Sequence, residues 1–239
     1  QSLRGGLVHD VLAKFTAQYP TALPENISSE LQNIARAHLA DLTGNARVAA
    51  FWLPRLERFL DWFAETEPKR RHGITRIAAE ISASLVLDAP AGPFTLTARA
   101  DRIDDDGHAL IITDYKTGDA PNAKQVKEGR APQLPLEAAI AMGDSGFPNL
   151  APRTVTALRY IRASGGEPPG EERLIARQDV PALAQLARDG LAALVARFDD
   201  PTTPYRALRR PGFRYDYDDY AHLARVAEWS AHAEEEGAP

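Results

Sequence analysis

Asp101, Asp114 and Lys116 are the residues whose types and spacing point most directly to chemistry. They lie in two apolar runs, residues 94–103 and 109–115, on either side of Asp104-Asp105-Asp106-Gly107. Asp106-Gly107 is a favoured two-residue hairpin turn, because both residue types tolerate positive φ. With that turn, Asp105 pairs with His108 and Asp101 falls opposite Ile112. Side chains alternate faces along a strand, so Ile112, Asp114 and Lys116 share the face that carries Asp101. Asp114 is then the diagonal neighbour of Asp101, with Cα atoms about 7–8 Å apart. Two carboxylates this close are costly unless a cation or a proton joins them. Oxygen ligands with positions left open for water suit Mg²⁺ or Mn²⁺. Lys116 adds a compact positive charge able to stabilise a hydroxide or the charge that develops on a phosphate. Together the three side chains suit phosphodiester hydrolysis. Alone, the Asp114-Tyr115-Lys116 triplet is common and reads better as a surface hairpin carrying a salt bridge. The same-face Asp101 and the apolar run ahead of each strand end favour a site.

The elements that must hold these residues alternate in character along the chain. Residues 1 to about 66 read as helical, with a stripe of Leu31, Ile34, Ala35, Leu39 and Leu42 following a capping box of Ser29 and Gln32. A second stripe, Trp52, Leu56, Phe59, Leu60 and Phe63, contains Pro54, which marks a helix start or a kink. Lys69-Arg70-Arg71 then reads as a solvated basic loop. Residues 81–87, 94–103, 109–115 and 154–161 have strand composition, and a Pro-containing helix spans about 131–142. Residues 164–172 read as a Gly/Pro/Glu-rich loop. Asp179 can cap a helix whose buried stripe is Leu183, Leu186, Ala187, Leu191, Leu194 and Val195. A Tyr-rich tail leads to a last helix ending near Trp229. The expectation is one α/β domain over residues 1–239: a helical part (1–70), a core (75–165) and a helical extension (178–239).

Composition narrows the function classes. The chain has 239 residues, 44% hydrophobic and 26% charged, which is ordinary globular composition and not that of a disordered chain. Lys plus Arg number 28 and Asp plus Glu 33, a formal charge of −5, so any contact with nucleic acid must be local or helped by cations. With no cysteine, disulfides, thiolate metal sites, iron–sulfur clusters and a cysteine nucleophile are excluded. No stretch approaches 18 residues without charge and no signal-peptide pattern opens the chain, so a cytoplasmic protein without a membrane partner is expected. The chain starts at Gln1 and its one methionine is Met142, which reads as a piece of something longer.

Ala98-Arg99-Ala100-Asp101-Arg102-Ile103-Asp104 followed by Ile111-Ile112-Thr113-Asp114-Tyr115-Lys116-Thr117-Gly118 resembles the core of the PD-(D/E)XK nucleases, in particular the RecB-like branch. Ala131-Pro132-Gln133-Leu134-Pro135-Leu136-Glu137-Ala138 resembles that branch's glutamine motif, and Gly6-Leu7-Val8-His9 its early histidine motif. The run from Tyr217 to Trp229 is similar to the end of AddB-type subunits of bacterial helicase–nuclease complexes. The resemblance implies a restriction-endonuclease-like αβββαβ core with a mixed central sheet and flanking helical extensions. It implies that Asp101 and Asp114 hold Mg²⁺ or Mn²⁺, with His9 and the Tyr115 carbonyl as further ligands. Lys116 would be the catalytic lysine and Gln133 would orient substrate or lysine. Glu80, at the start of the first core strand, is a further candidate carboxylate. The partners implied are DNA ends or single strands and an AddA-like subunit.

Departures from the family pattern are equally legible. Ala100 stands where the family name has proline, and Glu137 where many relatives have tyrosine four residues after the glutamine. No iron–sulfur cluster is possible, and no G-x-x-x-x-G-K-[ST] is present, so in an AddB-type complex ATP-driven movement would belong to other parts of the complex. A nuclease-like module that only binds DNA or scaffolds a partner is the rival reading. Gly143-Asp144-Ser145-Gly146 reads as a turn despite its likeness to a serine-protease segment, and Asp104 to Asp106 as a polar hairpin tip. Arg206, Arg209, Arg210 and Arg214 interleave with Tyr205, Phe213 and Tyr215, a pattern able to track a single strand or to dock the tail.

Overall fold

The computed structural model describes residues 3–42, 46–144, 146–177 and 179–204. The chain divides into two compact units, Gln1–Arg197 and Phe198–Pro239, and almost everything described belongs to the first. The Tyr-rich tail, its expected last helix and the interleaved arginines lie outside the described residues.

Three helices come first: α1 (Leu3–Gln18), α2 (Ile27–Leu42) and α3 (Ala46–Arg70). Strands β1 (Arg76–Leu87), β2 (Phe94–Asp105) and β3 (Leu110–Lys116) follow, then the short α4 (Ala123–Lys127) and α5 (Gln133–Met142). β4 (Val155–Ala163), β5 (Gly170–Ala176) and α6 (Val180–Asp199) complete the described order. The sheet runs β1-β2-β3-β4-β5, with β3 and β4 parallel and the other neighbours antiparallel. Parallel neighbours need a crossover, and α4 with α5 supplies it. This is the expected αβββαβ order with a mixed sheet, flanked by helices.

Helices cover both faces because each face is apolar. On one side, Leu7, Val11 and Phe15 of α1, Leu31 of α2, and Phe59, Leu60 and Phe63 of α3 pack on Tyr115 and Ile161. On the other, Leu134, Ala138 and Ile140 of α5 and Val180 and Leu183 of α6 pack on Ile103, Ile112, Leu158 and Tyr160. Each fully buried Leu, Ile or Phe contributes about 1.5–3 kcal/mol of apolar burial.

Several local expectations need correction. The hairpin register is Asp105↔Leu110 and Ile103↔Ile112, so Asp101 does not lie opposite Ile112. The Asp106 carboxylate accepts the His108 and Ala109 amides at 2.8 and 2.7 Å, which opens the turn to four residues. The slip is two positions, so every side chain keeps its face. Asp104 is not at a polar tip. It is fully buried, as Asp105 nearly is. Asn26 caps α2, accepting the Ser29 amide at 2.9 Å, so Ser29 lies inside the helix and no capping box forms there. Pro54 falls within α3 and does not start it. Residues 164–172 are not all loop, since β5 begins at Gly170 and pairs with β4. Gly170 is required there, because a Cβ would lie 2.1 Å from the Trp62 ring. In α6, Val180, Leu183 and Ala184 are buried but Leu186 and Leu194 are more than half exposed, so the expected stripe covers the core only over its first turns.

The basic cluster at the end of α3 is the largest surprise. Arg70 and Arg71 are both buried, Arg70 as the last residue of the helix and Arg71 directly after it. Glu67, without exposed surface, accepts from Arg70 Nε at 2.9 Å, Arg71 Nε at 2.6 Å and one guanidinium nitrogen of Arg102 at 2.8 and 3.0 Å. Arg102 Nε continues to Asp104 at 2.6 Å, whose other oxygen accepts from Arg159 at 2.9 Å. This network ties α3 to β2 and β4. Burial alone would raise the Glu67 pKa, but Arg102, Arg70 and Arg71 outweigh it and hold the carboxyl at about 2. A depressed carboxyl contributes stability above its unfolded value near 4.5 and loses it as pH falls toward 2. Glu67→Gln should therefore be less stable than wild type by about 3 kcal/mol at pH 7, with the gap closing between pH 4.5 and 2 in urea titrations. A gap independent of pH would show that the charge on Glu67 is not what ties the helix down.

Candidate active site

β2 and β3 part company at the site. Their pairing runs from Asp105↔Leu110 to Arg102↔Thr113. At the next position the Asp101 carboxylate replaces the ladder, its Oδ2 accepting the Tyr115 amide at 2.8 Å. β1 is distorted at the same level. Its pairing with β2 lapses between Ala79↔Arg102 and Ile81↔Ala100, where Glu80 takes a left-handed φ of 52°. Such a conformation costs a residue with a Cβ of order 1–3 kcal/mol and persists only where its surroundings enforce it. Here it turns the Glu80 carboxylate toward α1.

His9, on the covering helix α1, completes the group. Its Nε2 lies 2.9 Å from the Tyr115 carbonyl, and Nδ1 lies 3.2 Å from Asp101 Oδ1 and 3.7 Å from Glu80 Oε1. A carbonyl only accepts, so Nε2 carries the hydrogen. In the neutral ring Nδ1 is then a lone pair facing two carboxylate oxygens, all three atoms within 4.8 Å of one another. Only a cation or a proton reconciles three such donors. Burial alone would lower the His9 pKa, yet the hydrogen bond and charge of Asp101 raise it overall, helped by Tyr115 and Glu80. Burial, then the charge of Asp101, pushes Glu80 up against the pull of Arg99, whose Nε lies 2.7 Å away. One imidazole nitrogen with carboxylate oxygens fits Mn²⁺ or Mg²⁺.

Asp114 faces the neighbouring compartment. Lys116 Nζ lies 2.7 and 2.9 Å from its two oxygens, and Gln133 Nε2 donates to Oδ1 at 2.6 Å. The Gln133 carbonyl accepts from Lys116 at 3.1 Å, so amide and ammonium fix each other around one carboxylate. Burial and the charge of Asp101 lift the Asp114 carboxyl to about 6 although Lys116 opposes them. The Lys116 ammonium also sits 5.7 Å from the Tyr160 ring centroid, a cation–π contact.

All the site residues named from the sequence thus gather on neighbouring elements, in two groups. His9, Glu80 and Asp101 form one, and Asp114, Lys116 and Gln133 the other. The Tyr115 carbonyl accepts from His9, so the contact seen for it orients the imidazole. Sequence reasoning gave Glu137 no role at the site. Its Oε1 accepts from Gln133 Nε2 at 3.1 Å, while Oε2 is buried without a partner. The signal was the four-residue helical spacing from Gln133, which stacks the two side chains on one face.

The sequence matches the model of the PD-(D/E)XK nuclease superfamily over residues 1–210. The chain belongs to that superfamily. Among curated proteins, an uncharacterised protein of Rickettsia bellii is 26% identical over 60% of this chain, and one of Rickettsia typhi 28% identical over the same share. Those alignments cover 17% of each relative, so the chain spans under a fifth of their length. Among solved structures, one described as the crystal structure of SSO0001 is 14% identical with a TM-score of 0.31, covering 79% of this chain and 86% of that one. The superfamily generally hydrolyses phosphodiester bonds, and the two carboxylates and lysine of its core motif are all present here. No described helix is long and apolar enough to cross a membrane.

Glu137 offers a test of this electrostatic picture without chemistry. Burial lifts its carboxyl to about 8, with the charges of Asp114 and Asp101 adding to it and the Gln133 hydrogen bond opposing. A raised acid has its full stability below its unfolded value near 4.5 and loses it as pH climbs through 8. In metal-free buffer, Glu137→Gln should match wild type near pH 4.5 and exceed it by roughly 3–5 kcal/mol above pH 8. Parallel stability curves across that range would mean that the carboxyl is not held neutral.

Proposed function

We propose that this chain is a divalent-cation-dependent deoxyribonuclease acting on DNA ends or single strands. The observation that carries the reading is the convergence of His9 Nδ1, Glu80 and Asp101 beside the Asp114–Lys116–Gln133 cluster. Mg²⁺ or Mn²⁺ would be held by His9, Glu80 and Asp101, with Asp114 as the adjoining carboxylate. Bound there, the ion supplies a lowered water pKa and charge neutralisation at the phosphate.

The remaining tasks fall to the chain's own residues. The Tyr115 carbonyl fixes the His9 ring so that Nδ1, and not Nε2, faces the carboxylates. Asp101 is held by the Tyr115 amide, which leaves Oδ1 as its free corner. Lys116 is steered by Asp114 and Gln133, so its ammonium stays at the strand end where a non-bridging phosphate oxygen would gain charge. Gln133 cannot turn its amide over, because its oxygen would then meet the Asp114 carboxylate and its nitrogen the Lys116 ammonium. Preset donors of this kind need no reorganisation at the moment of reaction.

The finer reading is a nuclease part of an AddB-type subunit, in the cytoplasm, paired with an AddA-like motor that supplies the strand. The likeness of residues 217–229 to AddB ends supports it. Its role would be double-strand-break repair.

End-labelled single- and double-stranded DNA, incubated with millimolar Mg²⁺ or Mn²⁺, should be degraded by wild type and spared in chelator. Lys116→Ala should lower the cleavage rate at least roughly 100-fold with circular dichroism unchanged. Asp101→Asn should do the same and weaken Mn²⁺ binding measured by electron paramagnetic resonance. Undiminished cleavage by Lys116→Ala would remove the mechanism. Retained DNA binding with no cleavage by wild type would instead establish the scaffolding role.

A further inference from the structure

β1 and β2 remain paired far beyond the point where β3 leaves them. The ladder runs on from Ile81↔Ala100 to Leu87↔Phe94, and no described strand flanks β2 over that stretch. This two-stranded ribbon has two unlike faces. Ile81, Ala83, Leu85, Leu96 and Ala98 are half-buried against the core that α5 and α6 cover. Ser82, Ser84 and Val86 of β1 and Thr95, Thr97 and Arg99 of β2 are all exposed, and they face each other as Ser82↔Arg99, Ser84↔Thr97 and Val86↔Thr95.

We infer that this hydroxyl-lined face is the track along which a DNA strand reaches the cleavage site; the inference rests on the nuclease reading above. Its position comes first. Arg99 is two residues from Asp101 on β2, so the track ends beside the cation-binding group. Arg99 also pairs with Glu80, a member of that group. From Asp101 to Thr95 the strand advances roughly 20 Å, a length that accommodates several phosphates.

Charge comes second. In a chain of net charge −5, the strand residues of this face carry four hydroxyls, one valine and one guanidinium, and no carboxylate. Asp88 lies past the end of β1. Serine and threonine hydroxyls donate to phosphate oxygens and carry no sequence preference. Arg99 is 64% exposed and keeps donors beyond its Nε contact with Glu80. A second copy of this chain pairing with the β1 edge would bury the ribbon equally well, but it would need no carboxylate-free surface.

The test separates binding from cleavage. Labelled 20-nucleotide single strands are titrated with wild type, with Thr95→Glu/Thr97→Glu, and with Ala182→Glu/Gln185→Glu on the exposed side of α6, in Ca²⁺. Fluorescence anisotropy should show the ribbon variant binding roughly tenfold more weakly, and the α6 variant within about twofold of wild type. Thr95→Ser/Thr97→Ser keeps the hydroxyls and should bind like wild type. With Mg²⁺, the ribbon variant should still hydrolyse thymidine 5′-p-nitrophenyl phosphate at the wild-type rate, which also shows that it is folded. Equal weakening by the ribbon and α6 variants, unchanged binding by the ribbon variant, or no DNA binding by wild type would each overturn the track. Absent hydrolysis by wild type, with ribbon-dependent binding intact, would overturn the nuclease reading and leave the track standing.

Discussion

Negative charge crowded into a dry corner of the sheet is the constraint around which this protein is arranged. Glu80, Asp101, Asp114 and Glu137 come from three strands and a helix, and three of the four are pushed above ordinary carboxyl values. In each of those three, loss of water is the largest cause and a neighbouring carboxylate adds to it. A fold held together by its own contacts alone would not assemble such a set. Lys116 neutralises Asp114, and Arg99 leans on Glu80, but among the described residues no lysine or arginine sits between the oxygens around His9 Nδ1. The frustration is local, and it sits where a family of phosphodiester hydrolases needs a positive ion.

Holding that corner open is the task of the opposite side of the same strands. Arg102 follows Asp101 directly and therefore points through the sheet, where Glu67 and Asp104 grip its guanidinium. Arg159, two strands away on β4, holds Asp104 and Thr113. Thr113 precedes Asp114 as Arg102 follows Asp101, so each carboxylate has a neighbour anchored on the far face. Buried charged networks contribute little net stability over apolar packing. What they do supply here is geometry, because a guanidinium with several fixed acceptors tolerates almost no rotation. The two carboxylates are thereby kept from relaxing apart.

The site was more legible in the sequence than the scaffold around it. Asp101, Asp114 and Lys116 sit on strands whose period of two survives a register error, since the true turn moved the pairing by an even number of residues. His9 and Gln133 have no such local signal; their resemblance to family motifs placed them, and the structure brings both to the strand end. The acidic and basic runs misled for one reason. Charge in a sequence defaults to solvent, and nothing local says that Arg70, Arg71, Arg102, Asp104 and Glu67 will find each other across a sheet. Leu186 and Leu194 misled in the opposite direction, because helical periodicity marks an apolar face without saying whether anything packs on it. β5 was hidden by its composition: Gly170 is forced by the Trp62 ring, and Glu171-Glu172 continue a Gly/Pro/Glu-rich run that reads as loop.

Glu137 shows how the two compartments are coupled. Its carboxyl accepts from the same Gln133 amide that holds Asp114, so Gln133 stands between two acids and one ammonium. A neutral phenol at that position would hydrogen-bond without adding to the negative field. A carboxyl does add to it whenever it ionises, and burial is what keeps it neutral. The chain has thus placed a group whose charge is conditional next to Lys116. A cation bound beside His9 would make the potential at every carboxyl in the corner less negative, Glu137 included, and each one less costly to ionise. Occupancy of one compartment therefore changes the field at Lys116 in the other without any residue having to move.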